Sequence, residues 1–218
     1  MIRSYKVLST KKLTPSQREI ISNTTINIVE YDAISIEKLP YTIELFVENA
    51  IVTSQNAARI LIASKAQLKN VFCVGKKTAA LLVENNFNVV KISKNASELA
   101  SFIVENHKKD SFMFFCGDKR REDLPGTLTK NRINFTEEIL YKTTLNSQKF
   151  EVKFDAILFF SPSGVDSYIQ ENSLENSVAF CIGNTTANEA KKYTSDIVVG
   201  TQATIESTID ELNGYFKG

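Results

Sequence analysis

The sequence predicts an α/β protein of two similar domains, each a parallel sheet flanked by helices, and two observations carry that expectation. Short apolar strands alternate with helices of about ten residues, the pattern of β-α-β units. A block of these elements also occurs twice. Residues 49–54 followed by 71–79 are answered by 155–161 followed by 179–187, with Ser54 and Ser161, and Gly75 and Gly183, in corresponding places. Asn95-Ala96-Ser97 is answered in turn by Gln202-Ala203-Thr204. Two copies are too few for a stacked solenoid, and 218 residues suffice for two domains of about 100 residues each. Two such domains facing one another would hold a ligand in the cleft between them.

The elements follow in order. Val7-Leu8-Ser9 is a first strand. Thr14-Pro15-Ser16-Gln17 opens a helix to about Ser22, because Thr caps, Gln three residues on answers it, and Pro suits the first helical position. Residues 26–31 alternate like a strand, which Ile34-Ser35-Ile36 extends past a bend. Residues 50–53 form a short apolar strand, 55–64 a helix, 71–74 a strand, 76–85 a helix, 88–92 a strand, 97–107 a helix and 111–116 a strand. A helix with Pro125 in its first turns covers 121–130, residues 135–143 are extended, and the second copy runs from Ala156 to the end.

The repeat also divides the chain. Its first copy begins near residue 41, which leaves a strand, a helix and a strand at the amino end without partners of their own. The second copy lacks an equivalent of the strand-helix pair between Ser111 and Lys130. The economical solution joins 1–33 to 150–218 as one discontinuous domain, makes 40–140 the other, and leaves 34–39 and 141–149 as connectors that form the hinge.

Composition excludes several function classes. With 43% hydrophobic and 23% charged residues and no low-complexity run, both halves can bury a core. A formal charge of +1 gives no support for a nucleic-acid binder, so an anionic ligand must meet a local basic patch. No stretch approaches the roughly 18 apolar residues of a membrane span, and the start leads into a strand instead of a signal-peptide core, so a cytoplasmic protein is expected. Cys73, Cys116 and Cys181 each sit in a short apolar run and read as small core residues, not as disulfides or a zinc site. His107, the one histidine, ends a helix and reads as a surface group, which removes serine-histidine and cysteine-histidine chemistry. No dinucleotide, Walker, zincin or EF-hand motif is present.

What remains is chemistry by positioning. The loops Thr53-Ser54-Gln55-Asn56, Gly75-Lys76-Lys77-Thr78, Ser161-Pro162-Ser163-Gly164 and Gly183-Asn184-Thr185-Thr186 lie between strand ends and helix starts. Free N–H groups and hydroxyls there suit both helix capping and anion binding. Four such loops in equivalent places favour a polyanionic ligand. Gly117-Asp118-Lys119-Arg120-Arg121-Glu122 adds cations at another strand end, where Arg121 could clamp a carboxylate with two hydrogen bonds, or the cations could pair with Glu122 and Asp123.

Together with residues 157–165, 182–187, 74–79 and 115–125, the string Leu140-Tyr141-Lys142-Thr143 resembles uroporphyrinogen-III synthases in order and spacing across almost the whole chain. The resemblance implies two α/β domains joined by a two-stranded connector and a cofactor-free cyclising lyase of tetrapyrrole (heme, porphyrin) biosynthesis. Linear hydroxymethylbilane would lose water, ring D would be inverted through a spiro intermediate, and the macrocycle would close as uroporphyrinogen III. It further implies that Ser54, Thr78, Arg121, Ser161, Ser163, Thr185 and Thr186 surround the polycarboxylate substrate, and that Tyr141 donates a hydrogen bond or proton to the departing hydroxyl. A hinge aromatic with an exposed hydroxyl is the structural alternative for Tyr141. Asn184 stands where the family commonly has proline, which leaves the backbone of that loop open. A monomer in transient contact with the preceding deaminase is expected, with no metal, membrane or nucleic acid. The rival class is a non-catalytic tetrapyrrole-binding regulator on the same fold. A sugar-nucleotide transferase of two lobes would need an acidic metal-binding pair that the sequence does not offer.

Overall fold

Alternating apolar strands and capped helices build two parallel sheets in the computed structural model, which describes residues 4–21, 25–41 and 46–216. In chain order the first elements are β1 (Tyr5–Ser9), α1 (Pro15–Glu19), β2 (Ile26–Glu30), β3 (Ile34–Lys38), β4 (Val47–Val52), α2 (Gln55–Ser64), β5 (Leu68–Val74), α3 (Lys76–Glu84), β6 (Val89–Ser93) and α4 (Ala96–Asn106). There follow β7 (Ser111–Gly117), α5 (Asp123–Lys130), β8 (Asn134–Leu145), β9 (Ala156–Phe159), α6 (Pro162–Ile169), β10 (Val178–Cys181), α7 (Asn184–Ala190), β11 (Ile197–Val199) and α8 (Ile205–Tyr215). The chain divides into two compact units, Met1–Ser35 with Thr144–Gly218, and Ile36–Thr143.

The unit holding both termini carries a five-stranded sheet in the order β11-β10-β9-β1-β2, parallel throughout. The middle unit carries a six-stranded sheet in the order β3-β8-β7-β4-β5-β6, parallel from β8 to β6. Apart from β3 the two sheets have one topology, with β9, β10, β11, β1 and β2 in the places of β4, β5, β6, β7 and β8. In each, successive strands spread from a central strand to one edge, and the remaining two occupy the other side. That reversal falls between β4 and β7, and between β9 and β1. Parallel sheets bind ligands beyond the carboxyl ends of their strands at such points.

Packing explains why the strands read as apolar runs rather than as alternations. Helices cover both faces, so successive side chains enter opposite cores. Ile157, Phe159, Ala179 and Cys181 pack into one cluster and Ala156, Leu158 and Phe180 into another. In the middle unit Ala50, Val52, Cys73 and Phe115 enter one cluster and Ile51, Phe72, Phe114 and Cys116 the other. Phe72, Phe114, Phe115, Phe159 and Phe180 are fully buried, each contributing roughly 1.5–3 kcal/mol of transfer free energy. Burial pushes the thiols up to about 11 for Cys73 and Cys116 and about 12 for Cys181, as core residues should behave.

Three expectations need correction. Ile34-Ser35-Ile36 does not extend β2. It begins a separate strand, β3, beside β8 in the other sheet, where Leu39 N–H donates to Leu140 O at 3.0 Å. The residues read as a two-stranded connector do carry strand, 34–38 in β3 and 141–145 in β8. The capping box of Thr14 and Gln17 forms as expected, but α1 ends at Glu19, short of Ser22, which lies outside the described residues. His107 is not simply a surface group. It terminates α4 with its ring edge-on to Phe72 and Phe112 and its Nδ1 2.8 Å from Asp110.

Candidate active site

Ser54 follows β4 in extended conformation, and its hydroxyl caps α2 by accepting from Ala57 N–H at 3.1 Å. The same oxygen accepts the Tyr141 hydroxyl at 3.1 Å. Tyr141 reaches it from β8, two strands away across β7, because the β7–β8 register shifts near its end. Cys116 lies opposite Ile139, but Gly117 lies opposite Tyr141. Tyr141 is 9% exposed. Burial raises its phenol above the ordinary tyrosine value, while hydrogen bonding with Ser54 and Asn56 pulls the other way. A phenol so placed stays protonated at neutral pH, and is therefore a donor.

The neighbouring loop belongs to β5 and α3. Gly75 takes φ +86° and ψ +138°, a conformation that side chains rarely adopt, and its N–H donates to Ser93 O at 2.9 Å. Thr78 is buried under the first turn of α3 instead of being presented to solvent. The Ser93 hydroxyl is buried without a hydrogen-bond partner.

Corresponding geometry stands at the β9–β1 reversal of the other unit. Ser161 caps α6 by accepting from Gly164 N–H at 3.0 Å, and Pro162 takes the first helical position. Thr10, just past β1, donates from Oγ1 to Leu158 O at 2.8 Å. A Cβ on Gly164 would come within 3.3 Å of Ser161 Oγ and 3.4 Å of Thr10 Oγ1, so glycine keeps these hydroxyls uncrowded. Ser163 is half-buried in the first turn of α6. At the start of α7, Thr185 is exposed and Thr186 buried, the latter in the place that Thr78 has in α3.

The cations after β7 are engaged with acids. Arg121 lies 2.7 Å from Asp123, with its side chain 62% exposed. Arg120 donates from Nε to Glu137 at 2.8 Å and pairs with Glu122, which together hold its guanidinium above the ordinary arginine value. Of the residues that sequence reasoning selected, the structure brings Ser54 and Tyr141 into contact and sets Ser161 at the equivalent strand end. It turns Thr78 and Thr186 inward.

Sequence reasoning did not single out Thr10, which stands with Ser161 beside Gly164, or Gly117 and Asp118, which lie against Tyr141. The Gly117-Asp118 pair stood in the motif but was read for its cations, and the strand order is the signal that singles out Thr10. A cavity of about 500 Å³ lined by Asn49, Asn70, His107 and Asp110 lies at the amino ends of β4 and β5, away from this chemistry. Among the described residues no group of three His, Cys, Asp or Glu side chains is placed to hold a metal, and no helix is long and apolar enough to cross a membrane.

A family model described as uroporphyrinogen-III synthase HemD matches residues 11–210. The chain belongs to that family. Porphyrin biosynthesis protein HemD of Ruminiclostridium josui is 32% identical over 221 residues, which cover 84% of this chain and 43% of that protein. The chain therefore spans less than half the length of this curated relative. The solved uroporphyrinogen-III synthetase of Helicobacter pylori has a TM-score of 0.71 at 17% identity, covering 98% of this chain and all of the other. A mutant uroporphyrinogen III synthase of the extremely thermophilic bacterium Thermus thermophilus has a TM-score of 0.64 at 14% identity, covering 97% and 98%. At such identities the likeness is one of fold, two α/β units with parallel sheets. Asn184, where the resemblance implies proline, occupies the first position of α7. Proline suits that position for its fixed φ, not for any bond it makes, so asparagine leaves the helix start in place.

Proposed function

We propose that this chain is a uroporphyrinogen-III synthase, converting linear hydroxymethylbilane to uroporphyrinogen III with loss of water and inversion of ring D. The observation that carries this reading is the family match over residues 11–210. The geometry around Tyr141 supports it.

In this account the hydroxymethyl C–O bond breaks with the pyrrole electrons supplying the push, and the Tyr141 phenol hydrogen-bonds the departing oxygen, easing its loss as water. The phenol donates to Ser54 in the free chain, and we assign the leaving hydroxyl as its acceptor once substrate is bound. The substituted carbon of ring D then attacks, the spiro intermediate opens and recloses, and a proton is lost to restore the aromatic pyrrole. No residue need take up a strong negative charge. The contribution of the protein is to fold the bilane so that the slower, inverting closure outruns the spontaneous one.

The substrate's carboxylates are assigned to the strand-end loops, with Ser54, Ser161, Ser163 and Thr185 as hydroxyl donors alongside free N–H groups of the helix starts. Arg121 serves by exchanging Asp123 for a substrate carboxylate. The buried Thr78 and Thr186 shape their helix starts. The site residues require no metal or organic cofactor for this chemistry.

The test is to supply freshly generated hydroxymethylbilane, oxidise the products, and separate type I from type III uroporphyrin. Type III in excess of a protein-free control is the expected result. A type I background unchanged by the chain overturns the reading in favour of a tetrapyrrole binder.

A further inference from the structure

Tyr141 owes its position to an irregularity in its strand. Along β8 the buried residues should alternate, yet Leu140 and Tyr141 are consecutive and both buried. The shift opposite Cys116 and Gly117 inserts one extra residue in β8, and such a bulge turns the following side chain to the other face. Without it, Leu140 would pair with Gly117, and Tyr141 would stand one place further along with its side chain reversed.

Two residues hold that irregularity. Asp118 holds β8 at two points just beyond the extra residue: its N–H donates to Tyr141 O at 3.0 Å, and its Oδ1 accepts Thr143 N–H at 2.8 Å. Gly117 lies under the phenol ring. A Cβ there would come within 2.4 Å of Tyr141 Cε2 and Cζ and 2.8 Å of the hydroxyl, closer than real Cβ contacts allow. The ring is rigid and packs in the core cluster that holds Phe115 and Leu140, so a Cβ at 117 must displace it from its place in that packing.

We propose that Gly117 and Asp118 are positioning residues for Tyr141, fixing the phenol where it meets Ser54. The proposal rests on the assignment of Tyr141 to the reaction. It adds the claim that neighbouring groups with no contact to the reacting atoms decide its efficiency through where the phenol stands.

The experiment compares Gly117→Ala, Asp118→Ala and Asp118→Asn, with circular dichroism as the check on folding. Tyrosine labelled with carbon-13 at Cζ reports the phenol environment by NMR, and the Tyr141 resonance among the seven tyrosines is assigned from Tyr141→Phe. Gly117→Ala and Asp118→Ala should shift that resonance and lower kcat for type III formation at least roughly tenfold with little change in KM, as expected when a reacting group is misplaced by about an ångström. Asp118→Asn, whose amide oxygen can still accept from Thr143, should recover most of the loss.

In a Tyr141→Phe background, Gly117→Ala should lower the rate no further, because the group it displaces is gone. An unmoved resonance with unchanged rates, a loss multiplying in full upon Tyr141→Phe, or an Asp118→Asn variant as poor as Asp118→Ala would overturn the proposal. If Gly117→Ala does not fold, the two Asp118 variants decide alone. Should Tyr141→Phe itself retain full activity, the catalytic assignment fails, while the Tyr141 resonance still reports whether Gly117 and Asp118 set its position.

Discussion

Changing Tyr141 to Phe removes one oxygen from a packed site, so its effects on stability and on rate can be worked separately. For stability, the principal bond lost is the 3.1 Å hydrogen bond to Ser54 Oγ, beside a lesser interaction with Asn56. Ser54 is not orphaned by the change, because the same oxygen still accepts Ala57 N–H. The net loss is therefore that of one ordinary hydrogen bond, about 0.5–1.5 kcal/mol, reduced by no longer burying a hydroxyl. That corresponds to a fall of a few degrees in Tm for a chain of this size. For the reaction, the missing donor should slow type III formation roughly 10- to 100-fold, or about 1.4–2.7 kcal/mol of barrier. A loss at or below the foot of the usual range of about 100-fold and more is expected because an electron-rich pyrrole expels the hydroxyl with little help. The assay is the initial rate of type III formation from hydroxymethylbilane beside a thermal melt. A variant with the small stability loss and the wild-type rate would refute the argument for Tyr141.

Further outcomes follow from the same geometry. Since burial raises the Tyr141 phenol, the rate should show no loss from its deprotonation until pH exceeds the ordinary tyrosine range near about 10; a lower break abolished by Tyr141→Phe would contradict this. The three cysteines are buried, so Ellman's reagent at mildly alkaline pH should label none in the folded chain and all three after denaturation, and rapid labelling of native protein would contradict the packing. Arg18 and Leu13 N–H hold the Glu30 carboxylate below its ordinary value, Arg18 contributing most and burial opposing. Its stabilisation is thus present above the unfolded glutamate pKa and lost as pH falls through the depressed folded value. Melts of Glu30→Gln should accordingly fall below wild type near neutral pH and converge with it in acid, whereas an offset constant across that range would contradict the linkage.

Much of the fold was legible because caps and periodicity are local. The sequence match of Ser54 with Ser161 and of Gly75 with Gly183 proved to be a match of helix N-caps. The third match slipped: Asn95 caps α4, but the residue that caps α8 is Thr204, not the aligned Gln202. Surface loops tolerate such changes in length at little cost. What local pattern could not supply was partnership between distant segments. Ile34-Ser35-Ile36 reads as a strand in either sheet, and only the pairing with β8 decides which.

The parity of Tyr141 is likewise set by its register with β7, and the requirement for glycine at 117 arises from a ring 24 positions later in the chain. Arg121 shows the opposite limit. Its charge was visible in the sequence, but that it engages Asp123 at the start of α5 had to come from the geometry.

The most direct measurement of the central claim is the fraction of type III product as a function of chain concentration, with hydroxymethylbilane generated in the same solution. Each bilane then partitions between spontaneous closure to type I and inversion on the protein. The account predicts a type III fraction that rises with concentration and saturates near complete conversion. A fraction that stays at the protein-free level across the whole range would contradict it.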